Sequence, residues 1–288
     1  MLDLYVTSPR IDLNDKTSIP QFGLGLWQVP NGEAQRVVTD ALELGYRHLD
    51  TAQMYGNEEG VGLAIEAAGL PREELYVTTK LNNGYHERGD VRPALEVSLE
   101  KLGLDSVDLF LIHWPLPTKY DGDFVSTWEA LVEAQQAGLA TSIGVSNFQP
   151  EHLDRIVAAT AVVPAVNQIE AHPYFANDVA RAATRKHGAA VEAWSPLGQG
   201  GGELEDPAVL AVAEKFGKTP AQVLLRWALD RGDIVFPKSL SRARLAENAD
   251  IFDFALTAED VAALTALDKG EAGRTGPNPD TFDWIPER

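Results

Sequence analysis

Eight short runs of strand-forming residues, each followed by a stretch with helical spacing, constrain the fold of this 288-residue chain more than any other feature. The runs are Phe22–Trp27, Arg47–Asp50, Tyr76–Leu81, Val107–Trp114, Ser142–Val145, Val166–Ile169, Ala190–Trp194 and Ile234–Pro237. Several are continuously apolar, VDLFLI among them, as strands buried on both faces must be. Helical patterns fill the gaps: Gly32–Leu44, with Val37, Val38, Ala41 and Leu42 on one face, then 57–68, 91–102, 126–137, 149–159 and 177–187. Ser126 and Thr219 stand three residues ahead of Glu129 and Gln222, the capping-box spacing. Pro220 takes the favoured first helical position, and Thr257 marks another start. Strands and helices alternating without a linker point to a (β/α)8 barrel. The rival doubly wound sheet usually announces a GxGxxG loop, whereas GLGLW at 23–27 lacks the third glycine and opens no helix. Gly23 and Gly25 instead suit a bend or a close backbone approach.

The expectation is therefore one α/β domain over 1–288, a single (β/α)8 TIM barrel. Leu2–Val6 and Arg10–Leu13 are expected to form an N-terminal β-hairpin plugging its bottom. The tail from Gly270, rich in Gly, Pro and Asp with Phe282 and Trp284 near its end, is read as a C-terminal loop over the active-site face, with a mobile terminus as the alternative.

Composition removes whole classes of function. There are 24 Lys and Arg against 43 Asp and Glu, a net charge of −19, so the surface repels phosphate backbones and anionic lipid. No nucleic-acid or membrane partner is expected. With no cysteine there are no disulfides, thiolate metal sites, iron–sulfur clusters or cysteine nucleophiles. No secretion signal or membrane-spanning apolar run is visible, so the expected location is the cytoplasm. No zipper or repeat demands assembly, and a monomer is expected. His48, His86, His152, His172 and His187 share no spacing or carboxylate partner that suggests a metal, so they read as structural or solvated. Glu58 and Glu59 follow Asn57 at a helix start, where capping explains them.

In a barrel of this kind the chemistry lies where strands end. The polar residues there are Asp50 with Tyr55 close behind, Lys80, His113, Ser146 and Asn147, Gln168, Trp194 and Ser195, and Lys238 and Ser239. Asp, Tyr, Lys and His converging on one rim describe a site that polarises an oxygen and protonates it, suited to carbonyl reduction. Tyr55 would be the acid, Lys80 would lower its pKa, Asp50 would hold Lys80 charged, and His113 would orient the carbonyl oxygen. None of the four supplies electrons, so a hydride donor is required, and a nicotinamide is the natural candidate. Ser146, Asn147 and Gln168 could clamp a carboxamide, and Trp194 offers a stacking face. FPKSLSRARLAEN at 236–248 gathers Lys238, Ser239, Arg242 and Arg244 near a helix N-terminus, an anion site in an otherwise acidic protein.

LDTAQMYGNEEGVG at 49–62, TTKL at 78–81, LIHWP at 111–115, GVSNF at 144–148, VNQIE at 166–170, WSPLGQG at 194–200 and FPKS at 236–239 resemble the aldo-keto reductase superfamily. The likeness runs from about residue 10 to 270, in family order. IVAAT, VVPAVNQIE and FGKTPAQ are most similar to the bacterial 2,5-diketo-D-gluconate reductases. The resemblance implies NADPH as hydride donor and Asp50, Tyr55, Lys80 and His113 as catalytic tetrad. It implies that Ser146, Asn147 and Gln168 hold the carboxamide, that Trp194 stacks on the nicotinamide, and that Ser195, Leu197 and Gly198 lie under the pyrophosphate. Lys238, Ser239, Leu240 and Arg244 would hold the 2′-phosphate end, Glu247 and Asn248 the adenine, and Trp27 and Trp114 would line the substrate pocket with Tyr55 and His113.

Three positions depart from the pattern. Trp194 stands where many members have Tyr, Asn82 where Trp is common, and Ser241 where close relatives carry Arg. Asn82 removes an aromatic wall, and Ser241 leaves room for some NADH use. GQGGG at 198–202 reads as a flexible loop able to close over the pyrophosphate. Two other functions compete: a cofactor-binding sensor, which would need no acid, and a sugar isomerase or lyase with Lys80 as Schiff base, which a neighbouring Asp50 would oppose. The expected substrates are keto-sugar acids, dicarbonyls or small aldehydes.

Overall fold

The computed structural model describes residues 8–286. Its first elements are β1 (Arg10–Asp12) and β2 (Ser18–Pro20), an antiparallel hairpin with Ile11 opposite Ile19. The strand expected at Leu2–Val6 lies outside the described residues, and the partner of Arg10–Asp12 is Ser18–Pro20 instead. The hairpin does close the barrel floor. Ile19 is fully buried against Leu109, Val166 and Ile234 from the barrel interior, Asn14 Nδ2 donates to Pro164 O at 2.8 Å, and the Thr17 and Ser142 hydroxyls lie 3.0 Å apart.

The barrel strands are β3 (Leu24–Gly25), β4 (His48–Asp50), β5 (Tyr76–Leu81), β6 (Val107–Ile112), β7 (Ala140–Ser146), β8 (Val166–Glu170), β9 (Ala190–Trp194) and β10 (Ile234–Val235). All eight are parallel and each pairs with its sequence neighbour. A parallel bridge between Phe22 and Val235 closes the ring, and Gly23 N–H donates to Val235 O at 2.9 Å. This is the (β/α)8 barrel that the alternation predicts. Residues in register share a face, so the pairings Ser146↔Gln168 and Gln168↔Glu192 put these three side chains on one side of the sheet.

The glycines of the first strand are forced by closure. A Cβ on Gly25 would lie 2.3 Å from Phe236 O, and one on Gly23 would lie 2.7 Å from the His48 ring. Both gaps are shorter than van der Waals contact, so only hydrogen lets the seam close. The close-approach reading of these glycines holds.

Helices cover the outside, burying one apolar face each against the strands. Thr219 caps the helix Pro220–Asp230 in a full capping box, as its spacing predicts, and Thr257, expected only as a helix start, does the same for Ala258–Thr265 with Asp260. Ser126 does not start its helix. The helix is Phe124–Gln136, and Asp123 caps it by accepting from Ser126 N–H at 3.0 Å. The carboxylate three residues earlier takes the cap, so Ser126 donates its own N–H inside the first turn instead of accepting from residue 129. The helix Arg88–Leu102 begins before the expected 91, where Gly89 and Pro93 obscure its pattern. One helix, Pro207–Phe216, escaped the sequence reading although Asp206 and Pro207 supply a cap and a first turn. Among the described residues no helix is long and apolar enough to cross a membrane.

Gly25→Ala is expected to cost about 1–3 kcal/mol or more, because its methyl meets backbone rather than a movable side chain. Gly32→Ala, in open space near a helix start, is the control. Equal melting temperatures for the two variants would contradict this account of the seam.

Candidate active site

Asp50 ends β4, Tyr55 sits on the short helical turn Gln53–Tyr55 just beyond, Lys80 lies on β5 and His113 follows β6. The barrel brings all four to one rim. Lys80 Nζ donates to Asp50 Oδ1 at 2.7 Å, to Thr51 O at 2.9 Å and to Tyr55 Oη at 3.3 Å. Lys80 and Asp50 are buried. Burial alone would lower Lys80, but Asp50 and Tyr55 outweigh it and hold its pKa above the ordinary value. Lys80 is thus a fixed cation, the opposite of what a Schiff-base lysine needs. Burial likewise pushes Asp50 up against the pull of Lys80. Tyr55 differs from expectation: enclosure raises its pKa more than Lys80 lowers it, so the phenol stays protonated. Burial, then Lys80, lowers His113 well below its ordinary value, which makes the ring neutral. It packs edge-on to Tyr55 with centroids 5.6 Å apart.

Beside these groups the neutral residues form a chain of hydrogen bonds. Asn147 Nδ2 donates to His113 O and to Ser146 Oγ, and Ser146 Oγ donates to Gln168 O. Trp194 Nε1 donates to Asn147 Oδ1 at 2.9 Å, which fixes the indole. Asn147 and Ser195 both leave their strands in the left-handed region, with φ of 65° and 53°. That costs a side-chain-bearing residue energy and here turns the chain sharply at the rim.

All these groups except Lys80, which stands behind Asp50 and Tyr55, border one cavity of about 860 Å³. Trp27, Trp114, Leu197 and Lys238 border it too. A second cavity of about 640 Å³ shares Leu197 and Lys238 with it and is bordered by Ser239, Leu240, Ser241, Arg244, Glu247 and Asn248. The two together run from the tetrad out across the barrel rim. Gly198 borders neither. Its φ is 66°, and the Glu203 carboxylate fills the place a Cβ would take.

Of the basic cluster at 236–248, only part is available. Arg242 is held by Asp40 and Glu43 on a neighbouring helix, so it does not join the cavity as the sequence suggested. Among the described residues Lys238 and Arg244 have no carboxylate partner. Ser241 caps the helix Arg242–Ala249 by accepting from Arg244 N–H, so its departure from arginine supplies a helix start. Glu247 accepts from Thr219 Oγ1 at 2.8 Å, tying two helices at the cavity wall.

The tail is a cover, not a loose end. Thr275, Gly276, Pro277, Phe282 and Trp284 border the first cavity, and Phe282 lies against Trp114 with centroids 4.3 Å apart. Asn82 contributes no wall; its side chain accepts from Gly84 N–H in a tight turn. The aromatic side comes from the tail, where Trp284 O accepts from the neighbouring Asn83 Nδ2 at 2.9 Å. One clasp holds both tail and glycine loop. Thr275 N and Oγ1 each donate to Glu170 at 2.6 Å, Glu170 lies 3.1 Å from His172 Nε2, and His172 Nδ1 bonds Glu203 of the loop. His172 therefore has two carboxylate partners: Glu170, two residues away at the end of β8, and Glu203, 31 residues away, which no local pattern connects to it. Glu58 and Glu59 do open the helix Glu58–Ala68 after Asn57, but Glu58 is also buried and accepts from Thr79 Oγ1 at 2.6 Å, which the sequence did not indicate. Met54 lies within the 49–62 motif and Phe236 opens FPKS, but neither carries a polar group that marks it as a cavity residue; in the tail Thr275, Gly276 and Pro277 carry no motif, and a Cβ on Gly276 would clash with Trp194.

With this fold and site in view, comparison with known proteins is direct. Residues 21–269 match the model of the aldo/keto reductase family. The chain is 48% identical to an aldo-keto reductase of Mycolicibacterium smegmatis over 96% of its length and 99% of that protein's. It is 46% identical to methylglyoxal reductase DkgA of Escherichia coli over 94% of its length and 97% of that protein's. The crystal structure of a Bombyx mori aldo-keto reductase in complex with NADP superposes with a TM-score of 0.86 at 43% identity, covering 92% of this chain and 94% of that one. The chain belongs to the aldo/keto reductase family.

The clasp has a pH signature. Its two carboxylates outweigh the opposing effect of burial and raise His172 to about 9. A histidine raised above its unfolded value contributes stability fully present below about 6.5 and lost as pH rises through about 9. His172→Gln should melt several degrees below the wild type at pH 6, with the gap closing toward pH 10. A pH-independent gap would rule out the charged clasp.

Proposed function

We propose that the chain is an NADPH-dependent reductase of aldehydes and ketones, with Tyr55 as the acid. The observation that carries this is the buried Lys80 cation, fixed by Asp50 and in contact with the Tyr55 hydroxyl at the wall of an open cavity. A pure sensor needs no such acid, and a Schiff-base enzyme needs Lys80 unpaired.

The residues fit the cofactor. Two adjoining cavities, sharing Lys238, extend from the tetrad to a pair of unpartnered cations, Lys238 and Arg244, in a protein of net charge −19. Lys238, Ser239, Leu240 and Arg244 would hold the phosphate end, with Glu247 and Asn248 beside the adenine. Ser195 and Leu197 would lie along the pyrophosphate, with Gly198 set back from both cavities behind Glu203; Ser146, Asn147 and Gln168 would hold the carboxamide, and Trp194 would offer the stacking face. When bound, NADPH supplies the hydride that no side chain of this chain can.

The chain's own groups manage the proton. Tyr55 gives its phenolic proton to the carbonyl oxygen as negative charge builds there. Lys80, 3.3 Å from that hydroxyl, stabilises the phenolate left behind, and Asp50 keeps Lys80 charged. His113 is neutral and its Nδ1 is enclosed without a partner, so Nε2 is the nitrogen open to the cavity. There it would hold the carbonyl oxygen in line with Tyr55.

The substrate end is aromatic and uncharged: Trp27, Met54, Trp114, Phe282 and Trp284 border it. Among the described residues bordering the first cavity, Lys238 is the lone lysine or arginine, and it lies toward the cofactor end. This favours small aldehydes and uncharged dicarbonyls of the methylglyoxal type over keto-sugar acids, the substrates suggested by the likeness to 2,5-diketo-D-gluconate reductases. The same reading takes the chain as one domain, working as a monomer in the cytoplasm.

Tyr55→Phe should lower turnover by about 10³-fold or more while NADPH still binds, measured by NADPH oxidation and by fluorescence titration. Parallel loss of binding and turnover would refute the acid role. Lys238→Gly with Arg244→His should raise KM for NADPH far more than for NADH, and an unchanged ratio would refute the phosphate assignment. In the same assay methylglyoxal should show a lower KM than 2,5-diketogluconate.

A further inference from the structure

Glu192 stands on β9 inside the barrel, fully buried, and the mechanism above makes no use of it. Its Oε2 accepts from Gln168 Nε2 at 3.0 Å, and the same amide nitrogen donates to Asp50 Oδ2 at 2.9 Å. Asp50 Oδ1 in turn accepts from Lys80. An amide nitrogen carries two hydrogens, and here each meets a carboxyl group. Turning the Gln168 amide over would press its oxygen against both Asp50 and Glu192. The amide therefore has one allowed orientation, with Oε1 left as the atom that can meet a guest in the cavity Gln168 borders.

Resting on the reductase reading, we propose that Glu192 is a positioning residue: through Gln168 it fixes the amide face offered to the cofactor, and through its charge it biases the Asp50–Lys80–Tyr55 chain toward the acid form of Tyr55. The groups whose charge reaches it are Asp50 on β4 and Lys80 and Tyr76 on β5. Its register partners on β8 and β10, Gln168 and Ile234, do not titrate. Burial, then the charge of Asp50, pushes Glu192 up to about 8. Glu192 thus changes charge within the working range of an enzyme. Once ionised, it adds negative charge beside Asp50, which favours Lys80 as a cation and opposes removal of the Tyr55 proton. Tyr55 then remains an acid to higher pH than it otherwise would.

Glu192→Gln keeps an acceptor for Gln168 and cannot ionise, whereas Glu192→Leu removes the acceptor. For carbonyl reduction, the alkaline limb of the kcat profile should shift to lower pH by about one unit in Glu192→Gln, a Coulomb interaction across the barrel interior being of that size. The ratio of variant to wild-type kcat should fall about fivefold between pH 6 and the midpoint of the wild-type alkaline limb. In fluorescence titration Glu192→Leu should lose at least fivefold in NADPH affinity, and Glu192→Gln should restore most of it.

A third readout does not depend on catalysis. The folded wild type holds on to a proton that the unfolded chain, with an ordinary carboxylate near 4.5, gives up. Its stability therefore falls as pH rises from about 4.5 through about 8, and Glu192→Gln escapes that loss. The melting temperature of Glu192→Gln relative to the wild type should rise steadily over that interval. Superimposable kcat profiles, or a melting difference flat with pH, would overturn the charge role. Undiminished NADPH affinity in Glu192→Leu would overturn the positioning role. A wild type that binds NADPH but reduces no carbonyl would defeat the reductase reading, while the melting and binding series would still decide the part played by Glu192.

Discussion

The buried pair between Lys80 and Asp50 is the constraint around which the rim is built. Taking two charges out of water costs several kcal/mol each, and their attraction offsets this only with good geometry and further hydrogen bonds. Those bonds are all present: Thr51 O and Tyr55 Oη complete Lys80, and Gln168 completes Asp50. The pair therefore dictates where β4, β5, β8 and the turn after Asp50 must end. Tyr55 is aligned as a consequence, since its hydroxyl is one of the groups that satisfy the lysine.

From that centre the polar network spreads through the strand ends. Asn147 links His113, Ser146 and Trp194, and Gln168 links Asp50 to Glu192. Each member is held by at least one other, which keeps the cavity wall in a single arrangement. Outside this core the cover is more loosely tied. The glycine loop and the tail meet through Glu170, His172 and Glu203, and the tail is tied a second time where Trp284 O accepts from Asn83.

Electrostatics divides the two cavities. Inside the barrel burial raises Asp50, Tyr55 and Glu192 and lowers His113, and only at Lys80 among these groups do the neighbours Asp50 and Tyr55 outweigh it. At the outer cavity the groups are exposed, and availability decides their role. Arg242 is taken by Asp40 and Glu43, while Lys238 and Arg244 face the cavity without such partners. On an acidic surface, two cations that have no carboxylate partner among the described residues make this rim a favourable place for an anionic guest.

Much of the fold was legible in the sequence for a local reason. Apolar runs of four to eight residues, the capping box at Thr219, the helix start at Thr257, and prolines at helix starts act within one turn or one strand, so their meaning survives without tertiary context. The tetrad and its neutral neighbours were legible because the barrel sends every strand end to the same face, and the order of the strands then names the rim. Wherever two local signals competed, as Asp123 and Ser126 did for one helix start, spacing alone could not rank them.

Contacts distant in sequence belonged to the tertiary structure alone. Whether Arg242 or Arg244 is free depends on Asp40 and Glu43, some 200 residues away in the chain. The charge of His172 depends on a loop glutamate, the burial of Glu58 on Thr79, and the conduct of the tail on Glu170, Trp194 and Asn83. The net direction of the Tyr55 shift likewise required the depth of the site, because desolvation is a property of everything that surrounds a group. The sequence determined which residues reach the rim, since that follows from strand order. Folding decided which of them are free, charged or covered, since those depend on neighbours that only closure of the barrel brings near.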